Sequence, residues 1–279
     1  MSLAGGQHGN AMRTLTTADI CIHQVCLLEQ CGFASSLDVL ARNQVTKTAI
    51  WRPMLDAVGA QTARKMLDDS GVQAHALCAL ELLKGVEDGT RMLETAATIG
   101  AKSVVAITGG FDADNTTLED ARHNTMDMLA KLLPIAHSHN ITIALEPLHP
   151  MVCGLRSVIS SLREANDILD QLDSSDNVGI ALDSYAVWWE PDLIAQISRA
   201  GNRIVNYHVA DWLAETRDVR LDRGMPGDGI IALPALRNVV EATGFSGLVE
   251  IEIFSARHWW QADPQHVVET ILARANRHF

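Results

Sequence analysis

The chain has 279 residues and a formal net charge of −12, with 47% hydrophobic and 20% charged residues. This composition is ordinary for a folded protein and argues against an intrinsically disordered chain. The negative charge repels a phosphate backbone and the basic residues form no cluster, so we expect no nucleic-acid partner. No apolar run approaches the roughly 18 residues of a membrane helix, so we also expect no membrane partner.

The cysteines and the N-terminus indicate a cytoplasmic protein. Five cysteines occur without a Cys-x-x-Cys pair, which is typical of reduced thiols. The first residues lack the basic and apolar regions of a signal peptide. We expect residues 1–15 to form a disordered tail or to derive partly from an expression vector.

Short apolar runs alternate along the chain with longer segments of helical periodicity, the pattern of repeated βα units. Eight strands are predicted, at residues 20–27, 48–51, 72–80, 103–108, 141–146, 178–183, 204–209 and 248–254. Helices are predicted at residues 56–69, 87–99, 118–139, 158–172, 191–200, 233–243 and 264–277. No linker or shift in composition divides the chain. The sequence therefore predicts an α/β fold, a single (β/α)8 TIM barrel in one domain over residues 1–279.

The last four predicted strands end in acidic or imidazole side chains. Glu146, Asp183, His208 and Glu252 stand at or near the ends of strands five to eight. Active sites of such barrels lie at the carboxyl ends of the strands, where these groups can converge. Three carboxylates and one imidazole suit one divalent ion, either Mn²⁺, Mg²⁺, Co²⁺ or Zn²⁺. Glu250 remains an alternative to Glu252, because residues two apart on a strand face the same side.

Several segments resemble the xylose isomerase-like sugar isomerase and epimerase barrels, which include ketose 3-epimerases and inosose dehydratases. The resemblance is carried by ALEPLHPM from position 144, ALDSYAVWWEP from 181, YHVADW from 207, DRGMPGDG from 222 and VEIEIFS from 249. It implies that Glu146, Asp183, His208 and Glu252 bind one divalent cation and that the protein is a homodimer or homotetramer. The chain departs from the family at Ala186, where many members have a histidine that contacts the substrate.

Further polar and aromatic residues lie near the predicted strand ends. Candidates for substrate binding are Arg223, His149, Trp51 and His23. Asp211 follows His208 by three residues. It is predicted to orient the side chain of His208 or Arg223 without itself binding the metal or the substrate.

These observations favour a metal-dependent isomerase or epimerase acting on a small sugar, ketose or polyol ketone. Glu146 and Glu252 are predicted to remove and return a proton on opposite sides of an enediolate. The same site could dehydrate a cyclic polyol ketone or a hydroxy acid, and the substitution at Ala186 also permits a binding barrel without catalysis. A phosphodiesterase resembling endonuclease IV is disfavoured, because it needs more histidines and a surface that accepts DNA.

Overall fold

Eight parallel strands form the wall of a barrel in the computed structural model, which describes residues 12–172 and 177–279. The barrel strands β1 to β8 are Ile20–Ile22, Lys47–Trp51, Gln73–Glu81, Ser103–Ile107, Thr142–Leu145, Val178–Asp183, Ile204–Val209 and Val249–Ile251. Hydrogen bonds join them in the order β1-β8-β7-β6-β5-β4-β3-β2. Across the remaining gap, the Thr48 hydroxyl of β2 donates to the Ile22 carbonyl of β1 at 2.7 Å. The predicted (β/α)8 barrel is confirmed.

Helices surround this wall between the strands. Helices α1 to α10 are Phe33–Arg42, Arg52–Val58, Ala60–Ser70, Val86–Ile99, Leu118–Ser138, Leu162–Gln171, Ser184–Val187, Leu193–Ala200, Leu233–Ala242 and Pro264–Arg274. Several begin at side-chain caps that satisfy free amides of the first turn. Thr117 accepts from the Asp120 amide at 3.1 Å before α5, and Ser161 accepts from the Glu164 amide at 3.2 Å before α6. Within the described residues, no helix has both the length and the apolar character needed to cross a membrane.

The boundaries differ from the sequence prediction mainly in the first third of the chain. Strand β1 stops at Ile22 instead of continuing to residue 27, because His23 accepts a hydrogen bond from the Val25 amide and turns the chain into a 3-10 turn. Helix α1 was not predicted. In the last strand, β8 ends at Ile251, so that Glu252 lies just beyond it.

The predicted N-terminal tail lies partly outside the described residues, which begin at position 12. Its last residues pack against the barrel. Arg13 forms an ion pair with Glu241 at 3.0 Å, and Leu15 is 5% exposed, with its amide donating to Asn276. These contacts place residues 13–15 in the domain, which corrects the predicted extent of the tail.

The barrel interior and the layer between wall and helices are packed differently. Large aliphatic side chains fill the outer layer. The interior instead contains small residues, namely Cys21, Ala49, Ala76, Cys78, Val105, Ala144 and Ala181. Small interior residues leave room along the axis for the long polar side chains that β5 to β8 direct inward.

Candidate metal and substrate site

Three of the four predicted ligands meet at the carboxyl end of the barrel. Glu146 follows β5, His208 lies on β7 and Glu252 follows β8, and each offers one ligand atom within 4.8 Å of the others. The His208 Nδ1 lies 2.9 Å from Glu146 Oε1 and 3.8 Å from Glu252 Oε2. The imidazole thus stands between two carboxylates contributed by strands on either side.

Asp183 reaches this cluster through an arginine. Arg223 Nη1 lies 3.0 Å from Asp183 Oδ2 and 3.0 Å from Glu252 Oε2. Its guanidinium lies 4.5 Å from the ring centre of Tyr185 and 5.2 Å from that of Phe254. Arg223 is 8% exposed, so its charge compensates two buried carboxylates where solvent screens little.

Burial and neighbouring charges shift the pKa values of Glu146 and Glu252 in opposite directions. Burial raises the pKa of Glu146 to about 7. The hydrogen bond with His208 and the charge of His208 act against this rise, and the charges of Glu252 and Asp183 add to it. For Glu252 burial also acts upward, but His208, Arg223 and His23 outweigh it and lower its pKa. One carboxyl group can therefore carry a proton near neutral pH while the other stays ionised.

The pKa of His208 is raised although its imidazole is buried. Desolvation alone would lower its pKa, but the charges of Glu252, Glu146 and Glu250 and the hydrogen bond with Glu146 raise the pKa well above its ordinary value. The cluster therefore favours positive charge at its centre. A divalent cation bound by carboxylate oxygens and an imidazole nitrogen would satisfy the same field, so the residues fit the predicted metal.

Glu250 lies one level deeper than Glu252. Its Oε1 accepts from Asn206 Nδ2 at 2.6 Å and lies 3.4 Å from His75 Nε2, while its Oε2 is 3.7 Å from His208 Nε2. Burial would raise the pKa of Glu250, but His75, His208 and Asn206 lower it to about 2. Glu250 therefore faces the ring nitrogen of His208 that points away from Glu146, and the geometry favours Glu252 as the strand-eight ligand.

Two predicted substrate residues form the wall beside Glu252. His23 is fully buried, and its Nε2 lies 3.4 Å from Glu252 Oε1. Burial lowers the pKa of His23 to about 4 against the pull of Glu252, so the ring is neutral at physiological pH. The Trp51 ring contacts His23 and Phe254 at centroid distances of 6.1 and 5.5 Å. Trp51 thus presents an aromatic surface near the cluster.

A second wall of the site is aromatic as well. His149 stacks on Trp212 at a centroid distance of 4.7 Å, and Tyr185 stacks on Trp212 at 4.8 Å. Ala186 is 2% exposed, and its carbonyl accepts from Trp189 Nε1 at 2.7 Å. This wall therefore carries the His149 imidazole but no imidazole at position 186.

The predicted role of Asp211 is corrected by its hydrogen bonds. Its carboxylate accepts from the amides of Gly227, Gly229 and Ile231 at 2.9–3.0 Å, and forms no hydrogen bond or ion pair with the side chains of His208 and Arg223. A side chain at Gly229 would collide with the Trp212 carbonyl, which explains why this turn needs glycine. Asp211 thus holds together the loop after β7, and the sequence spacing alone did not reveal these backbone partners.

Arg156 was not selected from the sequence. Its amide donates to the Val152 carbonyl at 2.9 Å, in the loop that follows Glu146. Burial lowers the pKa of this half-buried arginine, and the charge of Arg220 lowers it further. Among the described residues its guanidinium has no hydrogen-bond or ion-pair partner, which makes it an available donor. Its distance of ten positions from Glu146 hid it from motif analysis.

Comparisons with known proteins agree with this architecture. The model of the xylose isomerase-like TIM barrel family matches residues 34–271. Inosose isomerase of Bacillus subtilis (strain 168) is 30% identical over 176 residues, which cover 60% of this chain and 59% of that protein. The chain therefore spans less than two thirds of the length of this relative.

Two solved structures extend the comparison. Protein SMc04130 from Sinorhizobium meliloti 1021 has a TM-score of 0.90 at 35% identity, covering 94% of this chain and 99% of that one. The IOLI protein with a binding zinc atom has a TM-score of 0.78 at 23% identity, with the same coverage of 94% and 99%. At that identity the second likeness shows the fold alone. The family match extends over most of the barrel, and the chain is thus a member of the xylose isomerase-like TIM barrel family.

Proposed function

We propose that this chain is a divalent-metal-dependent isomerase or epimerase of a small ketose or cyclic polyol ketone. The observation that carries the proposal is the convergence of Glu146, His208 and Glu252 within 4.8 Å at the barrel mouth. The name of the Bacillus subtilis relative, inosose isomerase, supports a cyclic polyol ketone, and the zinc atom in the IOLI structure supports a metal in such a site. Under the proposal the substrate is a small molecule, and the protein works in the cytoplasm as a homo-oligomer.

The metal would be held by Glu146, Asp183, His208 and Glu252. A bound divalent ion supplies Lewis-acid polarisation of the substrate carbonyl and its neighbouring hydroxyl. Arg223 already contacts both Asp183 and Glu252, so the arginine would turn toward substrate oxygens as positive charge enters the cluster. Arg156 and His149 would donate further hydrogen bonds from the rim.

The two glutamates would transfer the proton. In the metal-free site, burial raises the pKa of Glu146 to about 7. A bound cation would favour its ionised form, so Glu146 would then be a carboxylate base that accepts and returns the substrate proton. Glu252, whose pKa is lowered, stays ionised and would be the second base, on the opposite side of the substrate from Glu146. Removal of the proton next to the carbonyl would give an enediolate. Return of that proton to the opposite face of the same carbon would give epimerisation. Its return to the former carbonyl carbon, together with transfer of the hydroxyl proton between the two oxygens, would give isomerisation. Trp51 and Trp212 would exclude water from this step.

Deuterium exchange tests the proposal directly. Metal-loaded protein is incubated with inososes and ketoses in deuterated water, and incorporation of deuterium is followed by mass spectrometry. Wild type should exchange one carbon-bound hydrogen, and Glu146→Gln should slow the exchange by about 10²–10⁴-fold. Glu190→Gln is the matched control, because Glu190 is also buried but bonds the Leu162 amide at 2.6 Å outside the cluster.

Exchange at the wild-type rate in Glu146→Gln would refute the assignment of the base. A product lighter by one water would assign dehydration instead of isomerisation. Binding of a polyol ketone without exchange or turnover under any of the four metals would favour a binding barrel.

A further inference from the structure

A second polar group lies inside the barrel beneath the candidate metal site. It consists of His75 on β3, Asn206 on β7 and Glu250 on β8, with His208 directly above it. Glu250 pairs in register with His208 on one side and with Cys21 on the other, and all three are fully buried. A carboxylate at this depth is costly unless its oxygens are bonded, so each of its contacts is informative.

The two carboxylate oxygens of Glu250 have different surroundings. Oε1 is occupied, since Asn206 Nδ2 donates to it at 2.6 Å and His75 Nε2 lies at 3.4 Å. Oε2 lies 3.7 Å from His208 Nε2, and within the described part of the chain neither of these two atoms has a hydrogen-bond partner. A shift of about 1 Å would bring these two atoms within hydrogen-bond distance.

We infer that Glu250 is a positioning residue that fixes the orientation and tautomer of His208 for metal binding. By accepting from Nε2–H, Glu250 would leave Nδ1 as the nitrogen that gives up its proton to a metal, on the side where Glu146 and Glu252 converge. A carboxylate behind a ligating histidine orients the ring and raises its basicity. The inference rests on the metal site of the proposed function, but it does not depend on which reaction follows.

The contacts of Glu250 predict an unusual effect of a conservative substitution. In Glu250→Gln, Asn206 Nδ2 still needs an acceptor, so the glutamine oxygen stays on the Asn206 side and its amino group turns toward His208 Nε2. A donor then faces Nε2, which favours the tautomer that carries its proton on Nδ1. That proton occupies the position from which the metal would be bound.

The test uses Co²⁺ alone, titrated into the full-length protein without substrate and followed by calorimetry and by the visible spectrum. We expect Glu250→Gln to weaken Co²⁺ binding by about 10–100-fold and to change the spectrum. Glu190→Gln, a buried carboxylate replaced elsewhere, should bind as wild type does. The double variant Asn206→Asp with Glu250→Gln reverses the donor and acceptor at this pair. It restores an oxygen facing His208, so it should recover most of the affinity.

The double variant separates positioning from loss of charge or of fold, because it has the same net charge as wild type. Nitrogen-15 spectra of the Zn²⁺-loaded wild type should show the His208 proton on Nε2. Wild-type Co²⁺ affinity in Glu250→Gln, no recovery in a folded double variant, or metal on Nε2 would each overturn the inference. If wild type itself binds no Co²⁺, the metal site of the proposed function fails first, which is a distinguishable outcome.

Discussion

Glu81 and Glu146 occupy comparable places in the two halves of the barrel, yet they behave differently. Glu81 ends β3 and pairs with Lys84, three residues along its own loop, at 3.0 Å with both side chains partly exposed. Glu146 follows β5 and is 5% exposed, and its carboxylate lies within hydrogen-bond distance of His208, which comes from another strand. A carboxylate at a strand end thus joins the site when its partners come from other strands, and stays a surface group when its own loop neutralises it.

The largest effect is expected from removing the arginine that links the converging carboxylates. Arg223→Ala leaves Asp183 and Glu252 buried without their shared cation, so the free energy of unfolding of the metal-free protein should fall by about 3–5 kcal/mol. Saturating Zn²⁺ should restore about 2.7 kcal/mol at a hundred times its Kd. Thermal and urea unfolding measure the loss of stability in the variant and the gain on adding Zn²⁺. Arg220→Ala, at an exposed arginine of the same loop, should change little, and equal losses in both variants would contradict the comparison.

A smaller effect is expected from a buried carboxylate that lies outside the cluster. Burial raises the pKa of Glu190 to about 7 from its ordinary value of 4.5. Because the folded state holds this proton more tightly, its stabilising effect is complete below pH 4.5 and is lost as the pH rises through 7. Glu190→Gln keeps an acceptor for the Leu162 amide, so the variant should gain up to about 3 kcal/mol relative to wild type between pH 5 and 8.

Unfolding curves at several pH values measure this difference. A stability difference that does not change with pH would show that Glu190 is already ionised in the folded protein.

The smallest effect is expected at the locally paired carboxylate. Glu81→Gln removes an exposed ion pair with Lys84, so stability should change by less than about 1 kcal/mol. Co²⁺ affinity, measured by the same titration as for Glu250→Gln, should stay within about twofold, which is under 0.5 kcal/mol. A tenfold loss of metal affinity would place Glu81 in the site and would break the distinction between the two halves.

Much of the architecture followed from local patterns. Near-continuous apolar runs such as residues 141–145 predict parallel strands, and their ends located Glu146, Asp183, His208 and Glu252. Helix α1 was not predicted because it follows a first strand whose extent the sequence leaves ambiguous, and the predicted helix over residues 56–69 spans the end of α2 and most of α3. Asp211 was misassigned because its partners are backbone amides 16 to 20 residues away.

The sequence by itself determined the alternation of strands and helices and the residue types at the barrel mouth, because both depend on periodicities of two and 3.6 residues. Only the tertiary structure decided how deep each side chain lies below the mouth of the barrel. Glu250 and Glu252 share one face of the chain, so the sequence does not separate them. The closed barrel places Glu252 beside His208 and Arg223 in the candidate metal site, and it places Glu250 beneath that site, next to Asn206. Depth depends on the stagger of neighbouring strands, which long-range hydrogen bonds fix and no local pattern encodes.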